Sequence, residues 1–472
     1  MAPGTVRTVT MRPKGSVATG SRPYVSYAFA LVVMLLYASS AHAGVISANP
    51  SNYRSLLGNL RPGDTLLLEA GDYDGLPLNR INGTADAPIV ITGPDTGRRA
   101  VILGSSGSDT VTLSRCSYLV LRNLDVDSRR LGGDGVNARD VNHHITIDGL
   151  YIHGQDDDQQ TVGISSNHAA NWNWIIRNTI IDGAGTGMYL GNSDGANPFI
   201  AALVENNLIM NTLGYNIQFK HQNPWPNLSG IPTAKTSTII RNNVFSKGSN
   251  SSHGDMARPV VLVGHWPLWG PGQDNVYEIY GNFFYQNPVG ALFQGEGNIA
   301  FHHNLLVNDH AAPHPAINIQ PKHDIPKMIR IFNNTVVARN RGISITGASS
   351  TSEQHVIGNA VFADSPISAT DQSSNITDTY VNASAYLINP AGALGSLDLF
   401  PKVGRLSGSR LDVSSCKMFL DYNRDYNGNP GSDIFRGAYS GEAENPGPSP
   451  RLTLKSAWGT VLSPTPRVEN VK

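Results

Sequence analysis

The stretch ALVENNLI, Ala202–Ile209, decides the fold. Ala202 and Val204 alternate with Leu203 and Glu205 as in a half-buried strand, then the pair Asn206 and Asn207 interrupts the run before Leu208 and Ile209 resume it. Asparagine tolerates left-handed backbone angles, so the pair reads as a corner between two short strands. The same pattern recurs along most of the chain, for example as LVLRNLDV (119–126), WIIRNTII (174–181), TIIRNNVF (238–245), YEIYGNFF (277–284) and HVIGNAVF (355–362). Corner markers at Asn123, Gly149, Asn178, Asn206, Asn242, Gly281, His303, Asn334 and Asn359 are separated by 26, 29, 28, 36, 39, 22, 31 and 25 residues. Repeats of that length are coils of a solenoid, with loops inserted where the spacing is long.

Between markers a second alternating run appears, as in GMYLGN, NIQFKH, VVLVGH, GALFQG, AINIQP and GISITG. Short strands without an amphipathic helical period predict an all-β chain folded as a right-handed parallel β-helix. A β-propeller competes, but its blades need four strands, which a 22-residue repeat cannot hold. Asn207, Asn243, Asn282 and Asn304 fall at matching places in four consecutive coils, and read as a stacked amide ladder.

The termini read differently. Arg7, Arg12, Lys14 and Arg22 precede the apolar run Tyr27–Ala38, and Ala41 and Ala43 form a small-residue cleavage signature, so residues 1–43 are expected to be a signal peptide. Residues 44–441 are expected to form the β-helix with its caps, beginning with a short N-terminal capping helix near Tyr53–Leu60 behind Ser51 or Asn52. Residues 442–472, rich in Pro and Gly, read as an extended or mobile tail. No later segment is apolar for the roughly 20 residues a membrane helix requires, so no membrane span after signal cleavage and a secreted or periplasmic monomer are expected. Charged residues make up 15% of the chain and the formal net charge is −1, which leaves no basic excess for a nucleic-acid partner. Cys116 and Cys416, the only two cysteines, either pair across a long loop or stay as separate buried thiols.

LRPGDTLLLEAGDYDG followed by NGTADAPIVITGP resembles the N-terminal module of secreted parallel β-helix proteins that act on polysaccharides, in particular the chondroitinase B and alginate lyase group. DYNGNPGSDIFRGAYSG is similar to the last coil of many right-handed β-helix repeat proteins. The resemblance implies a lysine base on one coil, an arginine on the next, and acidic residues binding calcium that neutralises a uronate carboxylate. Lys220 stands where the base is implied. The following coil instead offers His265 at the strand end and Arg258 before the strand, and no acidic cluster precedes Lys220, so the metal is left unassigned.

In a β-helix, residues one coil apart stack side by side. Outward positions on successive second runs are Tyr189 with Asn192, Gln218 with Lys220, His265, Gln294 with Glu296, Asn318 with Gln320, then Lys322 with His323. Two strand spacings of about 4.8 Å put Lys220, His265 and Glu296 within roughly 10 Å. The two longest repeats carry loops with Trp225, Trp266 and Trp269, which either wall a sugar groove or cap a coil. A polysaccharide partner and a lyase reaction on uronic-acid polymers follow as the expectation. Lys220 would be the base, and Arg258, Gln294 or Lys322 would offset the substrate carboxylate. His265 or a tyrosine would be the acid, and Glu296 would orient His265 or bind a cation. Gln218, His221, Asn318 and Gln320 would complete the binding face. Two alternatives stand: a hydrolase using Glu296 or the run Asp156–Asp158, and a non-catalytic glycan binder.

Overall fold

The structure is a computed structural model that describes residues 43–183, 185–249, 257–347 and 352–455. The expected signal peptide therefore lies, but for Ala43, outside the described residues. The chain winds into a right-handed parallel β-helix whose coils build three sheets of 15, 11 and 12 strands. One coil contributes Leu203–Glu205, Leu208–Met210 and Ile217–Phe219, and the next lays Ser237–Arg241, Val244–Ser246 and Val261–Val263 in register upon them.

Strand alternation sends every second side chain into the lumen. Ile176, Val204, Ile240, Ile279, Phe301 and Ile331 follow one another in register, one per coil, and all are fully buried. Burying each of these side chains stabilises the fold by about 1.5–3 kcal/mol, so the coils are held chiefly by this stack.

The corners are made as the sequence suggests. Asn123, Asn178, Asn206, Asn242 and His303 all have φ between 50° and 55°. In the last two coils the left-handed residue is Asn333 (φ 51°) or Gly358 (φ 64°), one position before the expected markers Asn334 and Asn359. Those two asparagines belong to the amide ladder, which runs on through Asn207, Asn243, Asn282, Asn304, Asn334, Asn359 and Asn375. From Asn243 onward each side-chain oxygen accepts both the backbone N–H and the Nδ2–H of the asparagine one coil earlier, as Asn282 Oδ1 does from Asn243 at 2.9 and 3.0 Å, while Asn207 Oδ1 accepts the Thr179 N–H.

The N-terminal cap is the helix Tyr53–Leu57, shorter than expected because Gly58 and Pro62 follow, with Tyr53 and Leu57 buried against the core. Asn52 stands at its N-cap without a side-chain capping bond; its Oδ1 instead accepts the Asn49 N–H at 2.8 Å.

The C-terminal part departs from a last coil. After the last strand of the 12-stranded sheet, Ile376–Asp378, the chain turns back over that sheet's outer wall and adds the antiparallel pair Leu387–Asn389 and Asp398–Pro401. Leu387, Phe400, Tyr426 and Tyr439 pack there against Leu208, Val244, Phe283 and Leu305, which face away from the lumen. Residues 442–455 are tied to this wall rather than loose. The half-buried Lys455 donates to the carbonyls of Gly281 at 2.7 Å and Tyr426 at 2.8 Å, and its Nζ lies 3.5 Å from the centre of the Tyr426 ring. Cys116 and Cys416 are free and buried.

Candidate functional site

The site lies on the outer face of the 11-stranded sheet. Tyr189, Gln218, Leu262, Gln294 and Asn318 form one outward row. Continuing the register by two residues gives a second row of Gly191, Lys220, Gly264, Glu296 and Gln320. Gly264 lets the chains close up here: a Cβ at this position would sit 2.2 Å from the His221 backbone nitrogen.

Lys220 is half-buried, with Nζ 5.7 Å from the centre of the Tyr189 ring. Burial pushes the pKa of its ammonium down, the charge of Lys322 pushes the same way, and Glu296 opposes them. Burial raises the phenol of Tyr189, with Tyr215 adding to the effect. A half-buried amine with a depressed pKa beside a phenol kept protonated is a base next to an acid.

The wall beside Lys220 is built by Glu296, His323 and His221. Glu296 is only 2% exposed and accepts the backbone N–H of His323 at 2.9 Å and its Nδ1 at 3.1 Å. The His323 ring stacks on His221 at 3.7 Å between centres. Burial, then the charges of His323 and Lys220, lowers the His221 pKa, so this imidazole stays neutral at neutral pH.

Several expected placements change. His265 is buried at 3% exposure with Nδ1 against the Trp266 carbonyl, so it is covered rather than poised as an acid. Glu296 accordingly orients His323, not His265. Arg258 precedes Val260, which is in register with Asn216, so it flanks Tyr215 at the far end of the strand from Lys220. Trp266 is a core residue, 1% exposed and stacked on Tyr277 at 4.3 Å. Trp225 is partly buried against the core and donates Nε1–H to Gln222 at 2.8 Å, whereas Trp269 is 66% exposed. Gln218 and Asn318 are each 5% exposed, Gln294 and Gln320 are partly exposed, and Lys322 is open to solvent. Asp156–Asp158 lie in a turn where Asp157 pairs with Arg130 and Asp158 Oδ1 accepts the Gln160 N–H at 2.9 Å.

Tyr189 and His323 belong to the site although the pattern reading gave neither a role. The signal for Tyr189 was its register opposite Gln218. The signal for His323 was weaker, because it lies beyond the strand and reaches Glu296 only through the backbone path after Pro321. Among the described residues, no group of three or more His, Cys, Asp or Glu side chains converges as metal ligands. Glu296, the carboxylate of the patch, is engaged through both oxygens by His323. This donor set does not fit the calcium that the resemblance implies.

No family model and no curated protein sequence matches the chain. Solved structures do. A GH136 lacto-N-biosidase from Eubacterium ramulus is 13% identical with a TM-score of 0.41, over 68% of this chain and 63% of that one. An alginate lyase from a Paenibacillus species is 19% identical with a TM-score of 0.34, over 59% of this chain and 98% of that one. A pectate lyase is 15% identical with a TM-score of 0.37, over 88% and 97%. The likeness is one of fold. This chain spans less than two thirds of the lacto-N-biosidase.

Proposed function

We propose that the protein cleaves a uronic-acid-containing polysaccharide by β-elimination on the outer face of the 11-stranded sheet. The observation that carries this reading is Lys220: a half-buried lysine whose pKa is depressed by burial and by Lys322, set over Tyr189. The Lys322 ammonium faces the sugar carboxylate and makes the C5 proton more acidic. The neutral amine of Lys220 takes that proton, and the electron pair forms the C4–C5 double bond. The bond from C4 to O4 breaks, and the phenol of Tyr189 gives its proton to O4. The proton gained by Lys220 returns through solvent to the tyrosinate. His221 and His323, held by Glu296, form the wall against which the ring lies.

A polymer is met outside the cytoplasm, in keeping with the signal peptide expected from the sequence over residues 1–43. Among the described residues no helix is long and apolar enough to cross a membrane.

The test is a panel of alginate, pectate, glycosaminoglycans and neutral glycans, followed by ultraviolet absorbance and by reducing ends. The expected result is new absorbance matching new reducing ends on one acidic polymer, lost in Lys220→Ala. Reducing ends without absorbance would make the protein a hydrolase, and absence of both would leave a glycan binder.

A further inference from the structure

We propose a second sugar-binding position on the same face, formed by Asn137, Arg139, Asp109 and His168, which takes a uronate residue of the chain bound at Lys220. It rests on the proposed function. These residues line a depression of about 500 Å³. Asn137 is in register with Ser165, Ser165 with Tyr189, and Tyr189 with Gln218, so the depression lies three coils from Lys220 on the same sheet. Three strand spacings are roughly 14 Å, the reach of an oligosaccharide and not of one sugar. The two coils between carry Ser165 with Asn167 and Tyr189 with Gly191, of which Ser165 is buried and Tyr189 half-buried.

The chemistry of the depression asks for a ligand. Asn137 is 5% exposed; its Nδ2 donates to Asp134 Oδ2 at 3.0 Å, while its Oδ1 is buried with no partner among the described residues. Asp134 fixes that amide orientation, since its other oxygen accepts the Val162 N–H at 2.9 Å. A buried acceptor left unmet is costly, and a sugar hydroxyl is a donor that would meet it. Beside it the Arg139 guanidinium is braced by Asp109, with Nε and Nη2 at 3.0 and 2.7 Å from Oδ2, yet its side chain remains 55% exposed. His168 is exposed at the rim. A uronate offers what both sides lack: a hydroxyl for Asn137 and a carboxylate for Arg139.

The experiment measures binding of dimers and hexamers of mannuronate, guluronate and galacturonate to the full chain carrying Lys220→Ala, by calorimetry. Adding Arg139→Gln, which keeps a donor for Asp109, is expected to weaken the hexamer about tenfold, the worth of one charge-assisted hydrogen bond, and to leave the dimer unchanged. Adding the surface change His168→Ala instead is expected to weaken the hexamer alone by a smaller factor and cannot compromise folding. Hexamer affinity unchanged in both variants overturns the second position and leaves the proposed function standing. Equal losses for dimer and hexamer also overturn it. Failure of every uronate oligomer to bind overturns both.

Discussion

At the scale of single residues, a half-buried and a fully buried amine carry opposite consequences. Lys220 works as a base only when neutral, so kcat/KM should rise with pH and level off below the 10.5 of an ordinary lysine. Lys322 lowers the Lys220 pKa and Glu296 raises it. Lys322→Ala should therefore move the acid limb to higher pH, and Glu296→Gln should move it to lower pH. Profiles that move together, or not at all, would remove Lys220 from the reaction. Lys247 is a matter of stability instead. It is fully buried, donates to the Arg258 carbonyl at 3.0 Å, and burial pushes its pKa down from 10.5 to about 7. Between those values the unfolded chain holds a proton the folded chain lacks, so stability rises with pH across that window, by up to about 1.4 kcal/mol per pH unit. Lys247→Met should flatten this rise and stabilise the fold at neutral pH, because Asn287 still donates to the Arg258 carbonyl at 2.9 Å. Urea melts from pH 7 to 10 on both proteins would reveal it.

At the scale of elements, the amide ladder makes the corners cooperative. Asn282 accepts from Asn243 and donates to Asn304 and to the Ile240 carbonyl, all buried. Asn282→Ala would strand at least a backbone N–H and a carbonyl at about 1–3 kcal/mol each, so a loss of about 3 kcal/mol or more is expected. Asn375, at the open end and partly exposed, has water as a substitute partner, and Asn375→Ala should cost less than half as much in the same denaturant titration. Equal costs would mean the ladder does not act as a stack. Most of this was legible: polar pairs at a fixed phase betray both the corner and the ladder. The slip at Asn334 and Asn359 arose because both members of the pairs Asn333–Asn334 and Gly358–Asn359 are residue types that tolerate the turn, and only hydrogen-bond register separates the turning residue from the stacked one. The last-coil reading of residues 425–441, where no strand forms, departs from the structure for a related reason. Turn-rich composition specifies bends but not the surface they fold onto.

At the scale of the molecule, the segment after Ile376–Asp378 covers the outer wall and closes with Lys455 on the ring of Tyr426. Removing residues 442–472 takes away Lys455 and the Leu452 and Leu454 packing and uncovers apolar surface. The truncated chain should melt several degrees lower in calorimetry while retaining β circular dichroism, since the lumen stack lies in other residues. An unchanged melting temperature would mean the closure adds nothing.

The sequence by itself determined the solenoid, its coil length, its corners and the face on which Lys220 stands, because those follow from local periodicity and backbone preference repeated coil after coil. Only the tertiary structure decided which neighbours Lys220 has. It buried His265 and Trp266, set Arg258 at the far end of its strand, brought His323 to Glu296 and His221, and set the Lys220 amine over the Tyr189 ring. Register lists the residues that can share a row. Burial is fixed by where the inserted loops pack, and that depends on contacts between distant parts of the chain which no single repeat encodes.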